Sequence, residues 1–306
     1  MNILISGLSG FIGTNFKLYL KSIKSKWVIK SLDRKLIYNP HLLKKDFNKI
    51  KIVLHLAGKA HDFRKTSASE EYYVANYHLT KIIFDEFLVS DAQIFIFLSS
   101  VKAAADNLNC DLTEEFPPRP ITHYGKSKLL AEKYILNTNI PNGKQVYILR
   151  PCMIHGPGNK GNLNLVYNLV KKGFPWPLGL FENKRSFCSI DNLCFIIKEL
   201  IENNEIPSGI YNIADDEALS TNDIISLISN CLSKKVCILN IPKFIIIILS
   251  KIGDILRLPL NTERLKKLTE TFLVSNGKIK KAINKPFPMT AKAGLIKTFN
   301  SFQNNI

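Results

Sequence analysis

Apolar residues in this chain fall into two kinds of run: continuous blocks of five or six residues, and longer stretches in which they return every three or four positions. The blocks are Asn2 to Ser6, Trp27 to Leu32, Ile52 to Leu56, Gln93 to Leu98, Gln145 to Leu149 and Ile210 to Ala214. Short blocks bounded by turn residues read as strands buried on both faces. Between them, Phe16, Leu18, Leu20 and Ile23 recur at helical period, as do Val74, Leu79, Ile82, Ile83 and Phe87, and a further helical stretch runs from Thr122 to Leu136. Strands that alternate with helices predict an α/β fold with a doubly wound parallel sheet, whose ligands lie at the carboxyl ends of the strands. Gly7, Asp33, Ala57, Ser100 and Pro151 all fall at such ends.

Beyond Pro151 the pattern changes to Pro/Gly turns (Gly156-Pro157-Gly158, Phe174-Pro175-Trp176-Pro177) and helical pieces without strand alternation. This predicts a smaller, mainly helical C-terminal substrate lobe interleaved with the sheet domain, because the Ile210 strand belongs to the latter. The expected division is 1–158 with 187–217 for the sheet domain, and 159–186 with 218–306 for the lobe. The strongly apolar run Phe244 to Leu249 lies between Lys243 and Lys251 and is followed by Gly253 and Asp254. It is well short of the ~20 residues that a membrane span requires, and reads as a core helix or at most a membrane-surface contact.

Length and composition bound the function. With 306 residues, 46% of them hydrophobic, the chain can bury a substantial core in one large domain or two. Its 42 basic and 25 acidic residues give a net charge of +17, but the lysines are scattered and form no dense block with interleaved aromatics. Nucleic acid is therefore not the expected partner, although a basic surface helps attract an anionic substrate. The six cysteines show no CxxC pair and no histidines at metal-ligand spacing, so they read as reduced thiols and no metal is expected. The start MNILISG enters a strand without a basic leader, which leads us to expect a cytoplasmic protein with no integral membrane segment.

The first strand runs straight into Gly7-Leu8-Ser9-Gly10-Phe11-Ile12-Gly13, and a helix follows. In that setting Gly7 permits the turn, Gly10 lets a pyrophosphate approach the backbone, and Gly13 allows close packing. Asp33 stands 20 residues beyond Gly13, at the end of the second strand-like run, where a carboxylate can take a ribose hydroxyl pair. A carboxylate repels a 2′-phosphate and favours NAD, while the adjacent Arg34 would suit NADP. Asp46 and Phe47 are candidates to meet the adenine, and Leu56, Ala57 and Gly58 would let a cofactor lie close above the sheet edge.

Tyr124 and Lys128 are four residues apart, one helical turn, so a cation can stabilise a phenolate and bring its proton chemistry towards neutrality. The same spacing occurs in Tyr77/Lys81 and Tyr167/Lys171, which serve as decoys. What sets Tyr124 apart is the Ser99-Ser100 pair upstream at a strand end.

Taken together, GLSGFIG at 7–13, Asp33, HLAG at 55–58, Asn76, Ser99-Ser100, Tyr124-x3-Lys128, RPCMIHGPG at 150–158 and RSFCSIDNL at 185–193 resemble the extended short-chain dehydrogenase/reductase family, in its nucleotide-sugar epimerase and reductase branch. The resemblance covers nearly the whole chain. It implies a Rossmann domain, NAD as cofactor with NADP as the alternative, a UDP-sugar as substrate and a homodimer among the assemblies. It further implies that Ser100 and Tyr124 hydrogen-bond the sugar 4-oxygen, and that Lys128 binds the nicotinamide ribose while lowering the tyrosine pKa. Asn76 would lie on the nicotinamide side, Pro151 would back the ring, and Arg185 would contact the diphosphate. Asn162 matches a position that meets the nucleotide sugar, with a helix N-cap as the competing reading.

Three departures bear on substrate pose. His155 stands where the family has tyrosine, Met153 where many 4-epimerases have asparagine, and AINKPFP at 282–288 lacks a leucine-glycine-tryptophan motif. The 161–179 stretch is more similar to enzymes acting on UDP-linked N-acetylated and 6-deoxy hexosamines of surface polysaccharides. The expected activity is 4-epimerisation of a UDP-hexose or UDP-N-acetylhexosamine. The alternatives are reduction of a UDP-4-keto-6-deoxy-N-acetylhexosamine and a catalytically silent dinucleotide-binding regulator. A 4,6-dehydratase is disfavoured because Val101 and Lys102 stand where that chemistry needs an Asp-Glu pair.

Overall fold

The structure is a computed structural model. It describes residues 1–306 except 34, 36, 61–68, 109, 160, 257–259 and 304–306, and only the backbone at 40 and 162. In chain order the elements are β1 (Asn2–Ser6), α1 (Phe11–Ser22), β2 (Val28–Leu32), α2 (Pro40–Asp46), β3 (Ile52–His55), α3 (Ser69–Tyr73), a π turn (Val74–His78), α4 (Leu79–Val89), β4 (Ile94–Leu98), α5 (His123–Leu136) and β5 (Gln145–Pro151). There follow β6 (Met153–His155), α6 (Asn162–Lys171), β7 (Phe187–Ser189), α7 (Ile190–Glu202), β8 (Gly209–Ile213), α8 (Thr221–Cys231), α9 (Lys243–Leu256), α10 (Thr262–Thr269), α11 (Gly277–Ile283) and α12 (Ala291–Gln303).

The chain divides into two units, the first being Met1–Cys152, Ile190–Ala214 and Val274–Pro288. Its six strands form one parallel sheet in the order β2-β1-β3-β4-β5-β8. Side chains alternate across the strands, so both faces are apolar. Leu4, Val53, Phe95, Phe97, Val146 and Ile148 share one core with Leu79, Ile83, Phe84 and Phe87 of α4 and Ala131 and Ile135 of α5. The intervening Ile3, Ile5, Leu54, Ile96 and Leu149 are also buried, on the face left to α1 and α7, which pack on each other. The strand order reverses between β1 and β3, and this crevice is where ligands of such sheets bind.

The periodic stretch at 69–90 is not one regular helix. Its centre is a π turn, a local widening of the helix common at functional sites, and it carries Asn76. The first unit also contains 274–288, which the sequence pattern had joined to the lobe. The cause is packing: α11 lies on β8 and α7, Ser275 N–H donates to the Leu112 carbonyl at 2.9 Å, and Asn276 Nδ2 donates to the Ala214 carbonyl at 3.0 Å.

The second unit comprises Met153–Ser189, Asp215–Leu273 and Met289–Ile306. It is mainly helical, with one addition that the sequence pattern missed, a two-stranded parallel sheet of β6 and β7. Tyr167, Trp176, Phe187, Ile225, Ile228, Leu295 and Phe299 form its core. His155 is fully buried there, its Nδ1 paired with Thr298 Oγ1 at 2.9 Å and its Nε2 3.6 Å from Asp215, and Met153 packs against the same core. Both departures from the family pattern thus serve the packing of the second unit.

Candidate active site

Gly7 leaves β1 with φ at +77°, and a Cβ at this residue would lie 2.8 Å from the Ala57 nitrogen, so only glycine fits the turn. Gly10, bonded through its N–H to the Gly7 carbonyl at 3.0 Å, is the N-cap of α1 and supplies no side-chain cap. Phe11, Ile12 and Gly13 therefore present the positive end of α1 at the sheet edge, a suitable cradle for a diphosphate. Leu56 and Ala57 are held by Ser6, through its carbonyl at 3.1 Å and its hydroxyl at 3.3 Å.

Asp33 follows β2, is exposed, and accepts the Lys35 N–H at 2.9 Å. Arg34 lies outside the described residues. Asp46 pairs with Lys30 at 2.9 Å, while its buried Oδ2 has no partner and is open to a donor such as an adenine amino group. Phe47 differs from expectation: its side chain is buried in the sheet core, so only its backbone can face a nucleotide. Metal chemistry has no cluster of three ligating side chains among the described residues.

Thr122 caps α5 by accepting the Gly125 N–H, and Asp106 fastens the approach by accepting the backbone N–H groups of Ile121 at 2.6 Å and Thr122 at 3.0 Å. This fixes the first turn of α5, which carries Tyr124 and places it within electrostatic reach of Ser100. Ser100 is nearly buried just past β4 and accepts the Lys102 N–H at 3.2 Å. One turn further along α5, Lys128 is buried, donates to the Leu98 carbonyl at 2.8 Å, and sits 4.7 Å from the centre of the Phe97 ring. The structure thus brings Ser100, Tyr124 and Lys128 to the carboxyl end of β4.

Burial pushes the Tyr124 phenol above its ordinary range, an interaction with Ser100 pulls it back, and the Glu132 carboxylate adds to the rise. The Lys128 ammonium is directed to Leu98 and Phe97. Burial brings Lys128 itself down to about 8, against the upward pull of Glu132. Asn76 is fully buried and braces the site. It accepts the Lys59 N–H at 2.8 Å and donates to the Lys59 carbonyl and Ser127 Oγ, both at 3.0 Å. A Cβ at Gly58 would come within 2.8 Å of Asn76 Oδ1 and 3.0 Å of Lys128 Nζ, which is why the strand ends in glycine.

Sequence reasoning missed the polar layer beneath these groups. Glu132 is fully buried, accepts from Ser99 Oγ, and is gripped by Arg150 Nε at 3.0 Å and Nη2 at 2.5 Å. Its signal was the Tyr124-Lys128-Glu132 spacing, one residue per turn on one helix face. His55 links Ser6 Oγ at 2.5 Å and Thr80 Oγ1 at 2.8 Å, and burial with the nearby Lys128 charge lowers it to about 3.

The decoys are structural. Lys81 bonds Tyr134 and Asp85 at 2.6 and 3.1 Å, and Tyr77 packs edge-on against Tyr134. Tyr167 is stacked on Phe299 in the core of the second unit. Pro151 ends β5 opposite Ile213 and is buried. In the second unit, Asn162 opens α6, and Arg185 is partly buried between backbone hydrogen bonds to Leu219, with Nη1 donating to the Lys267 carbonyl. Val101 is buried and Lys102 Nζ reaches the Asp106 carbonyl at 2.8 Å, so neither supplies the carboxylates of a dehydratase.

Among known proteins, the chain is 27% identical to the UDP-glucose 4-epimerase of Vibrio cholerae, over 98% of this chain and 95% of that protein. It is 28% identical to N-acetyl-alpha-D-glucosaminyl-diphospho-ditrans,octacis-undecaprenol 4-epimerase of Escherichia coli O157:H7, over 79% of this chain and 75% of that protein. Its fold matches the crystal structure of UDP-glucuronic acid 4-epimerase from Bacillus cereus in complex with NAD, at a TM-score of 0.76 and 18% identity, covering 100% of this chain and 99% of that one. The family model of the NAD dependent epimerase/dehydratase family matches residues 3–214, which span the glycine turn, Ser100, Tyr124 and Lys128, and the chain belongs to that family.

Proposed function

We propose that the protein is an enzyme that inverts C4 of a UDP-hexose or UDP-N-acetylhexosamine, with NAD as the cofactor. The observation that carries this reading is the placement of Ser100 just past β4 and of Tyr124 and Lys128 one turn apart on α5, with Lys128 buried against the Leu98 carbonyl at the same strand end. A phenolate can take a proton from a secondary alcohol as its hydride leaves, and the phenol so formed can return that proton when the ketone is reduced. When bound, NAD supplies a hydride acceptor and donor. Tyr124 removes the 4-hydroxyl proton, Ser100 donates to the 4-oxygen, and Tyr124 gives the proton back after the sugar has turned its other face.

The residues present suit that cofactor. The uncapped start of α1 would hold the diphosphate, Asp33 an adenosine ribose, and Asp46 Oδ2 the adenine. Lys128 would exchange the Leu98 carbonyl for a ribose hydroxyl, and its charge then supports the phenolate. Asn76, braced within the protein, holds the Gly58 turn. Arg185 is offered for the substrate diphosphate and Asn162 for the sugar end. The Escherichia coli relative supports a second reading, in which the sugar rides on a polyprenyl diphosphate, and an exposed apolar face on α9 favours it.

The test is to incubate purified protein with UDP-glucose, UDP-N-acetylglucosamine and a polyprenyl-diphosphate-linked N-acetylglucosamine, without added nucleotide. Formation of the 4-epimer supports the proposal. Stoichiometric consumption of NAD(P)H with a 4-keto-6-deoxy sugar, and no epimer from any substrate, would replace it with the reductase reading.

A further inference from the structure

Helix α9 meets its unit along a narrow seam. Ile246, Ser250 and Gly253, spaced four and three residues apart, are its buried positions. Every large apolar side chain of the helix except Ile246 is exposed, Ile255 by 81% and Phe244 by 64%. At about 100° per residue all of these but Ile247 share one sector of about 140° away from the seam, and Ile247 stands with Lys243, Asp254 and Lys251 in the sector between. Asp254 is tied to α10, where its Oδ1 accepts the Thr262 N–H at 3.1 Å, and Lys243 and Lys251 outnumber it beside the apolar arc.

Charge identifies what such an arc would meet. Residues 234–267 hold eight lysine and arginine residues against two acidic ones, Asp254 and Glu263, within a chain of net charge +17. Glu263 is paired with Lys267 at 2.7 Å. A second copy of the chain would bring the same basic flank against itself, which like-charge repulsion opposes. A surface with an apolar interior and negative headgroups complements both features. The helix has 14 residues, and no described helix is long and apolar enough to cross a membrane, so α9 would lie in the interface plane.

We propose that α9 is an in-plane anchor, whose apolar arc inserts at the headgroup boundary of an anionic bilayer while its lysines meet the lipid phosphates.

The test is flotation of the full-length protein with vesicles of phosphatidylcholine alone and with vesicles containing roughly one-third phosphatidylglycerol. The expected result is co-flotation with the anionic vesicles and much less with the neutral ones. Ile248→Glu/Ile255→Glu should lower the bound fraction about tenfold or more with an unchanged melting curve, since both residues are exposed. Lys243→Gln/Lys251→Gln should weaken binding to anionic vesicles several-fold and leave the apolar arc intact. Wild-type protein that stays off anionic vesicles overturns the proposal, as does an Ile248→Glu/Ile255→Glu protein that floats like wild type. A wild-type dimer that the same double substitution dissociates, with no vesicle binding, would make the arc an interface between copies.

Discussion

Glu132 lies one turn beyond Lys128 on α5, and Arg150 of β5 closes on its carboxylate with almost no solvent contact on either side chain. The pair ties the catalytic helix to the sheet directly beneath the candidate site. Removing one member strands the other charge, since a buried guanidinium without its carboxylate keeps the full desolvation penalty. Glu132→Gln should therefore cost about 3–5 kcal/mol of unfolding free energy. Urea denaturation measures it, and an unchanged midpoint would mean that the pair does not hold α5.

His55 makes stability depend on pH. Folded, its imidazole titrates at about 3; unfolded, it titrates near its ordinary 6.5. As pH falls below about 6.5 the unfolded chain takes up a proton that the folded chain refuses, so stability drops down to about pH 3, by about 1.4 kcal/mol per unit from this group. His55→Gln should flatten the dependence of the melting temperature on pH between 4 and 6. An equally steep dependence in the variant would assign the effect to other groups.

Asp33 is the residue proposed to meet the adenosine ribose. Asp33→Ala should weaken NAD binding by removing the ribose acceptor, and Asp33→Ala/Arg34→Ala tests which phosphate state is native. Calorimetric titration of both cofactors reads this out. A double substitution that harms NADP binding far more than NAD binding would reverse the assignment.

Arg185→Ala should raise the KM for the sugar nucleotide about tenfold or more and change kcat little, because a guanidinium that grips a diphosphate contributes mostly uniform binding. Steady-state kinetics at saturating NAD separates the two. An unchanged KM removes Arg185 from the site and leaves it as a strut between Leu219 and Lys267.

The sheet and its glycine turn were legible because the inner strands are short, mostly apolar blocks, and because the positive φ at Gly7 and its approach to the Ala57 backbone admit one residue type. Ser100, Tyr124 and Lys128 were legible by position at strand and helix ends. The segment at 274–288 was not, because its place is set by contacts with Leu112 and Ala214, far away in sequence. The burial of the Phe47 side chain was not legible, because a residue just before a strand can equally stand in a surface turn. The direction of the Lys128 ammonium depends on the Leu98 carbonyl, which no side-chain pattern encodes. Glu132 and Arg150 are charged residues in a core, where composition gives no warning, and only the turn-by-turn spacing on α5 hinted at the first.

In the proposed reaction Tyr124 carries the proton, and Tyr124→Phe takes that proton away. The substitution keeps the ring and removes the hydroxyl, so turnover of the proper nucleotide sugar should fall about 10²–10⁴-fold while binding survives. Tyr77→Phe and Tyr167→Phe, whose rings serve packing, should keep near-normal turnover. A Tyr124→Phe protein that converts the sugar at close to the wild-type rate would contradict the mechanism, whatever the fold.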